Sequence, residues 1–396
     1  MKKRVIFIVV TALLCCLLVA CGSKTRLQAP QNIRQNGPFL IWDEVKNAEG
    51  YIVLADNEEY VTAEPSCNLS FLGGETVYVV KIKAVGDGEN FADSDWSEFG
   101  FNEIFKYTLL ADGSGYEVNL SVSSVELQDR KVVVPSTYEN LPVTRIADKM
   151  FYKCASLTEI VLPNTLKEIG ANAFYNCDAL ESIELPESVT AIGSGAFREC
   201  VALKKIVVPS GVECIAEEMF YECASLTEIV LPNTLKEIGV DAFYNCKALT
   251  SIELPESVTA IGPSAFMHCS SLKKIVVPTG IERIESNMFN DCTSLTEVVL
   301  PSTLKEIMGM AFRKCEALKT VVLPSSLEDI GKDAFYMCPL ESVFFDGTEA
   351  EFLSVSVAEG NDSILSAAVY FYSETEPTEN PQKFWRFSGG KPLPWA

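Results

Sequence analysis

The chain has 396 residues, of which 48% are hydrophobic and 22% are charged, a balance that supports a buried core and argues against a disordered chain. Its 54 acidic and 32 basic residues give a net charge of −22, which argues against a nucleic-acid partner because the phosphate backbone carries the same sign of charge. The single histidine, His268, leaves no set of histidines for a zinc-dependent active site.

The N-terminal segment, residues 1–21, is typical of a secretion signal. Three basic residues precede an apolar run over 5–19 that is too short for a confident membrane span. The run ends in Leu-Val-Ala-Cys at 18–21, which resembles the bacterial lipobox. The resemblance implies that Cys21 is the lipid-modified first residue of the mature protein, held on the extracellular face of the bacterial cell membrane. The alternative is an ordinary signal peptide with an incidental cysteine.

Folded sequence follows a short tether, residues 22–28. Residues 29–105 contain segments rich in β-branched and aromatic residues at 39–42, 51–54 and 77–85, separated by Gly, Asn, Asp and Pro turn signals. Several short strands in so few residues predict an all-β, immunoglobulin-like sandwich.

The order of its aromatic residues resembles a fibronectin type III domain. The resemblance is carried by Trp42, by Tyr51 and Tyr78, and by the closing segment 93–97. It implies that Trp42 anchors the core, with a sugar-stacking platform as the alternative. Such domains commonly act as spacers or weak binding modules.

Internal repetition dominates residues 106–346. Phenylalanine recurs every 23 residues from 151 to 335, cysteine follows each phenylalanine by three positions, and leucine and a later proline keep the same period. A longer period is superimposed, because residues 151–219 are identical to 220–288 at 52 of 69 positions. Three 23-residue units were therefore duplicated together.

Each unit predicts one coil of a solenoid. The segment L-x-x-I-x-L is a short strand whose alternate residues point inward, and the proline after it ends the strand because it cannot donate a ladder hydrogen bond. The segment around the phenylalanine forms an outer turn or a short helix. One coil cannot bury its own apolar face, so stacking creates the core, and nine or ten coils give roughly 45 Å of ladder.

The motif A-F-x-x-C-x-x-L-x-x-I-x-L-P resembles the BspA-type leucine-rich repeat, which is found largely on bacterial surface proteins. The resemblance implies a right-handed leucine-rich repeat solenoid of short β-strands joined by turns or short helices. Residues 132–144 resemble the family's entry coil, and residues 347–396 are interpreted as a C-terminal capping segment.

The nine cysteines of the repeat form a ladder with one thiol per coil. Adjacent coils place the Cα atoms about 5 Å apart, which is within disulfide range. Nine is odd, however, and the favoured interpretation is a small buried thiol in a tight inner corner of each coil. A linear ladder also offers no tetrahedral cluster for a metal. Cys67 and Cys214 fall outside the ladder, and His268 occupies a variable position where an exposed side chain is expected.

The outward positions of the stacked strands form the candidate ligand-binding face, because solenoids bind along the surface that their repeats share. The fifth position of each L-x-x-I-x-L segment is apolar except at Glu184 and Glu253, and lysine pairs lie beside it. The predicted binding residues are Val161, Val207, Val230, Val276, Val299, Val322, Phe344, Lys204, Lys205, Lys273 and Lys274. Strand propensity alone is the alternative explanation of the valines, since duplication copies residues without selecting a site.

These parts predict a monomeric surface lipoprotein that uses no cofactor and no metal. Its predicted partner is an extracellular protein or glycan, and a host-derived molecule is one candidate. No catalytic residues are assigned. One alternative is an envelope scaffold without a diffusible ligand. The other is a glycosidase that uses two carboxylates, which the abundance of acidic residues leaves open.

Overall fold

The structure is a computed structural model that describes residues 24–36, 39–55, 58–68, 79–100, 105–121, 131–388 and 391–395. The leader 1–21 and the predicted lipidation site Cys21 lie outside the described residues. The chain divides into two compact units, one formed by Met1–Leu72 with Lys81–Ser97 and the other by Gly73–Val80 with Glu98–Ala396. Among the described residues, no helix has the length and hydropathy needed to cross a bilayer.

The first unit is built from short β-strands. Their bounds are β1 (Thr25–Arg26), β2 (Arg34–Asn36), β3 (Phe39–Ile41), β4 (Gly50–Ala55), β5 (Glu58–Thr62), β6 (Ser66–Asn68), β7 (Val79–Val85), β8 (Phe91–Ala92) and β9 (Ser97–Gly100). One sheet has the order β2-β3-β6 and is antiparallel, and a second sheet has the order β5-β4-β7-β9. A further two-residue pair joins β1 and β8 in parallel.

Trp42 belongs to the core of this unit. Its side chain is only 3% exposed, and its ring lies 5.2 Å from that of Tyr51 in a T-shaped arrangement. Leu40, two residues before Trp42, and Val53, two residues after Tyr51, are also completely buried. The alternative role of Trp42 as a sugar-stacking platform is therefore wrong, because a buried ring offers no face to a ligand.

The second unit begins with strands that lead into the solenoid. They are β10 (Phe105–Leu109), β11 (Tyr116–Leu120), β12 (Lys131–Val133), β13 (Thr137–Tyr138) and β14 (Leu141–Ile146). The β10-β11 hairpin is antiparallel, and β11 then pairs in parallel with β14. From β14 onward the coils stack in parallel.

Most coils contribute one longer and one shorter strand. The longer strands are β15 (Glu159–Val161), β18 (Lys205–Val207), β20 (Glu228–Val230), β23 (Lys274–Val276), β25 (Glu297–Val299), β27 (Thr320–Pro324) and β29 (Ser342–Asp346). The shorter ones are β16 (Glu168–Ile169), β17 (Ala191–Ile192), β19 (Cys214–Ile215), β21 (Glu237–Ile238), β22 (Ala260–Ile261), β24 (Arg283–Ile284), β26 (Glu306–Ile307) and β28 (Asp329–Ile330). Between β15 and β28, each pairing joins residues 23 apart in sequence, such as Lys205 with Glu228, so one coil equals one repeat unit.

The segment around each phenylalanine is a turn. Residues 131–346, all of which the structure describes, contain no helix, so the turn alternative is the correct one. Two residues per turn, two positions before and two after the phenylalanine, have φ between 53° and 63°; Glu218 and Glu222 flank Phe220 in this way. This alternation aims the backbone N–H groups of Glu218, Phe220 and Glu222 at carbonyls of the next coil.

The nine phenylalanines form the spine of the solenoid. All nine are completely buried, and consecutive rings stack nearly parallel with centroids 5.1 to 5.8 Å apart. The core continues through the leucine and isoleucine columns as one contiguous cluster from Phe105 to Phe371. The predicted solenoid of stacked 23-residue coils is therefore confirmed.

The C-terminal segment closes the last coil. It contains α1 (Glu349–Phe352), β30 (Ser356–Val357), α2 (Asp362–Ser366), β31 (Ala368–Tyr372), a 3₁₀ turn (Pro381–Lys383), β32 (Phe384–Ser388) and β33 (Lys391–Pro394). The buried amide of Asn361 replaces a missing coil: its Oδ1 accepts the backbone N–H of Phe335 at 3.0 Å, and its Nδ2 donates to the carbonyls of Gly331 and Ala358. The turn ladder thus ends on a side chain with its hydrogen bonds satisfied.

Replacing Phe243 by alanine tests the spine. The substitution removes a ring that stacks on Phe220 and Phe266, and it should lower the free energy of unfolding by about 3–5 kcal/mol. Phe335→Ala should cost less, because that ring has one stacking neighbour among the phenylalanines. Urea denaturation followed by circular dichroism measures the loss of unfolding free energy in both variants. Equally small losses would contradict a buried phenylalanine column that stabilises the fold.

Candidate binding face

The outward residues of the longer strands form a continuous surface, which we call the strand face. It consists of the second, third and fifth positions of each L-x-x-I-x-L segment. The first, fourth and sixth positions point inward; Leu157, Ile160 and Leu162, for example, are buried. Side-chain alternation along a strand therefore separates the core from this surface.

Valines at the fifth position form an apolar line across the strand face. Val207, Val230, Val276 and Val299 are 42% to 46% exposed, whereas Val161 and Val322 are half-buried. Glu184 and Glu253, both exposed, interrupt the line at the same position. The structure therefore places the six predicted valines together on one surface.

Phe344 does not belong to the accessible surface. Its side chain is 4% exposed, because its ring stacks on Tyr370 at 5.1 Å and meets Trp385 edge-on at 5.5 Å. β29 pairs with β31, and β31 pairs with β32, so the sheet continues into the C-terminal segment and covers this ring. The prediction that Phe344 contacts a ligand is wrong on this ground.

Most lysines of the strand face are paired with glutamates of a neighbouring coil. The Nζ–Oε distances are 2.7 Å for Lys204 with Glu181, 2.6 Å for Lys205 with Glu228 and 2.6 Å for Lys274 with Glu297. Lys273 is the exception among the four predicted lysines: Thr250 replaces the glutamate at the equivalent position, and Lys273 has no ion pair with the described residues. These lysines are therefore largely neutralised within the chain.

Glu184 and Glu253 differ from the other glutamates of the strand face. Within the described part of the chain, neither carboxylate forms an ion pair. Each lies two residues after an exposed serine, Ser182 or Ser251, on the same side of the strand. The sequence pattern indicates these glutamates only as interruptions of the valine line, although their common position in the repeat is the signal that marks them.

The coils that carry these two glutamates are also the least regular on the strand face. Ser182 forms a single bridge with Lys205, and Ser251 forms a single bridge with Lys274, where other coils form strands of three residues or more. Glutamate has a low strand propensity, which agrees with this local loss of pairing.

A second column lies on the outer turns, one position after each phenylalanine, and most of its members are half-buried. The rings of Tyr152 and Tyr175 stack with centroids 4.7 Å apart, and those of Tyr221 and Tyr244 with centroids 4.5 Å apart. The guanidinium of Arg198 lies 4.2 Å from the ring centre of Tyr221. Because the faces of these rings stack against one another, the column offers mainly ring edges to a partner.

The cysteine ladder is a set of buried free thiols. From Cys177 to Cys338, each Sγ lies 2.8 to 3.3 Å from the carbonyl oxygen of the phenylalanine of the preceding coil and donates to it. Burial raises the pKa of Cys154 to about 11 and the pKa of Cys200 and Cys269 to about 12. Among the described residues, no three or more metal-ligating side chains come together.

The two remaining thiols lie elsewhere. Cys214 is exposed on β19, and Cys67 is half-buried on β6. Partial burial raises the pKa of both. His268 is half-buried on its turn and lies 3.6 Å from Asp291 through Nδ1, so it belongs to a variable outer turn and not to the strand face.

Comparison with known proteins identifies the repeat. A family described as "BspA type Leucine rich repeat region" matches residues 144–248 and 236–354 with six copies, which together span more than half of the chain. No curated protein sequence matches the chain.

Solved structures with similar coils come from several bacteria. A leucine-rich repeat protein from Bacteroides ovatus is 27% identical over 65% of this chain and 66% of its own, just under two thirds of its length, with a TM-score of 0.48. The T. pallidum leucine-rich repeat protein is 31% identical over 54% of this chain and 88% of its own, with a TM-score of 0.40. A leucine rich cell surface protein from Faecalibacterium prausnitzii is 23% identical over 66% of this chain and 98% of its own, with a TM-score of 0.37.

Thiol labelling distinguishes the ladder from the two outlying cysteines. A raised pKa means less thiolate at a given pH, and burial blocks the reagent as well. At pH 8, dithionitrobenzoate should therefore label Cys214 first and Cys67 more slowly, and it should reach the ladder thiols only after unfolding in urea. Cys214→Ser should remove the fastest phase. Rapid labelling of eight or more thiols in the native protein would contradict the burial described above.

Proposed function

Because the chain belongs to the BspA-type leucine-rich repeat family, we propose that it is a bacterial cell-surface lipoprotein whose strand face binds an extracellular protein or glycan. Leucine-rich repeat proteins of this kind are generally non-enzymatic, and no described residues suggest catalysis.

The internal duplication is the observation that favours the strand face as the binding surface. Residues 151–219 and 220–288 differ at 17 positions, and these differences are unevenly distributed. Over the outer turn 194–202 and its copy 263–271, six of nine residues differ, and the three that are retained are the buried alanine, phenylalanine and cysteine. On the strand face, eight of nine outward residues are retained, with Glu181 and Thr250 as the one difference.

In the third coil of the duplicated unit, exposed residues have thus diverged on the outer turn and have been kept on the strand face. Both sides were equally identical at the moment of duplication, so copying alone does not account for the contrast. Surface substitutions away from special features change stability by no more than about 0.5 kcal/mol, so folding places little constraint on most of these positions. Retention of the strand face supports a contact with a partner.

The leader sequence and the first unit support the proposal that the solenoid is presented at a cell surface. The leader and Cys21 resemble a lipoprotein signal, and a lipid chain contributes about 0.8 kcal/mol per buried methylene to membrane attachment. The two sheets of the first unit have the strand orders β2-β3-β6 and β5-β4-β7-β9, which is compatible with a fibronectin type III-like spacer. A soluble domain with this role would separate the solenoid from the bilayer.

Cys21→Ala tests the anchor. The substitution removes the thiol that would carry lipid, so the protein should leave the membrane fraction or accumulate with its leader attached. Metabolic labelling with a palmitate analogue and fractionation of cells measure the two effects. Unchanged lipid labelling and unchanged processing would refute lipidation at this residue.

The double change Val230→Lys with Val276→Lys tests the strand face. It places charge in the exposed valine line without altering the core, so melting temperature should change little, while binding to partners captured on an array of glycans and extracellular proteins should fall at least tenfold. The full chain purified in detergent serves as the array probe.

A matched control uses the same substitutions on exposed valines outside the strand face. Val201→Lys with Val240→Lys adds equal charge near the outer turns, where both side chains are similarly exposed. Binding should persist in this variant. Loss of binding in the control together with retention in the strand-face variant would assign recognition to the outer turns, and absence of any captured partner would favour a scaffold.

A further inference from the structure

We propose that the strand face carries two equivalent sites, centred on Glu184 and Glu253, that bind an extended basic segment of a partner protein. The proposal rests on the function proposed above and names the chemistry of the ligand. The first site comprises Glu184 with Ser182, Val161 and Val207. The second comprises Glu253 with Ser251, Val230 and Val276.

The two sites have the same construction. In each, a carboxylate lies at the fifth strand position between two valines that hold that position in the coils before and after it. A serine hydroxyl lies two residues before the carboxylate, on the same side of the strand. All four residues of the first site recur unchanged in the second, 69 residues later.

Charge decides the kind of group that each site accepts. Neither Glu184 nor Glu253 forms an ion pair with a described residue, whereas the adjacent Lys205 and Lys274 are already paired with Glu228 and Glu297. An unpaired carboxylate on a chain of net charge −22 attracts a cation.

The valines on either side of each glutamate also favour a lysine or arginine side chain. Lysine and arginine carry a charged head on an aliphatic stem, and the stem can lie on valine methyl groups while the head meets the carboxylate. A neutral glycan gains little from an unpaired charge, and the outward residues of the longer strands include no aromatic ring except the buried Phe344. The surface therefore favours a basic polypeptide over a sugar.

Propensity does not explain the glutamates. Valine suits an exposed strand position, but glutamate is a poor strand former, and the coils of Glu184 and Glu253 are those that pair only through single bridges. Both copies have nevertheless kept glutamate at this position. In the third set of coils the equivalent residue is Val322, so the chain has two such sites.

The spacing of the sites sets a requirement on the ligand. Three coils at about 4.8 Å each separate the carboxylates by about 14 Å along the solenoid. In an extended peptide, side chains four residues apart lie on the same side and are about 13 Å apart. A segment that runs along the stack with lysine or arginine at positions i and i+4 can therefore reach both sites at once.

The test uses labelled Ser/Thr-based peptides and the full chain in detergent, with affinity measured by fluorescence anisotropy. A peptide with lysines at i and i+4 should bind about tenfold more tightly than one with lysines at i and i+2 or one with a single lysine, because two linked contacts raise the effective concentration of the second. Glu184→Gln and Glu253→Gln should each reduce binding of the i, i+4 peptide by about tenfold and by similar factors. For the single-lysine peptide, each variant should reduce binding only about twofold, since one of two equal sites remains.

Glu316→Gln is the charge-matched control. Glu316 is exposed after the ladder residue Cys315, outside the strand face, and its replacement changes the net charge by the same amount. It should leave all affinities unchanged. An equal loss in this control, or no loss with Glu184→Gln and Glu253→Gln, would overturn the proposal, as would capture of a neutral glycan that depends on these two glutamates.

The outcomes separate this proposal from the broader one. If the valine double variant loses its array partner while both glutamine variants keep it, the strand face binds a ligand of different chemistry. If the valine variant also keeps its partner, the strand face itself is the wrong surface.

Discussion

Every coil depends on the next one, because a 23-residue coil has no way to bury its own apolar side chains or to satisfy its own backbone. The phenylalanine rings stack only between coils, and the backbone N–H groups of each turn donate to carbonyls of the following turn. The cysteine thiols add a third link, since from Cys177 onward each donates to the carbonyl of the phenylalanine in the preceding coil. One register, an offset of 23 residues, satisfies all three requirements together.

This dependence explains why the ends differ from the middle. A terminal coil leaves one side of each ladder without a partner, and unsatisfied buried backbone groups are costly. At the C-terminal end Asn361 supplies the missing carbonyl for Phe335, and Trp385 donates from its indole nitrogen to the carbonyl of Phe345 at 2.9 Å. Neither residue belongs to the repeat motif, so neither role could be predicted from the period.

The period predicted the parts of the fold that repeat. Phenylalanine, cysteine and leucine columns indicated the inward positions, and the valine column indicated the outward ones, because alternation along a strand is a local property. Phe344 has the same place in its unit as the valines, yet it is buried by residues that follow about 26 and 41 positions later in the chain. Nothing local to Phe344 signals that cover. The left-handed residues were also missed, since Glu222 and Lys153 carry no glycine signal at positions where the ladder imposes a positive φ.

The candidate site is harder to predict than the core because exposed residues are weakly constrained by folding. The ion pairs of the strand face are largely solvent-exposed, and such pairs contribute about 0–1 kcal/mol each, so stability alone gives little reason to keep them. Glu184 and Glu253 give even less to stability, since they are unpaired within the described residues and occupy positions better suited to valine. A position that is exposed, unfavourable for the local strand and nevertheless the same in both copies supports the proposed contact outside the chain. The duplication therefore supplies, within one sequence, a comparison between residues that the fold requires and residues that our proposal assigns to a partner.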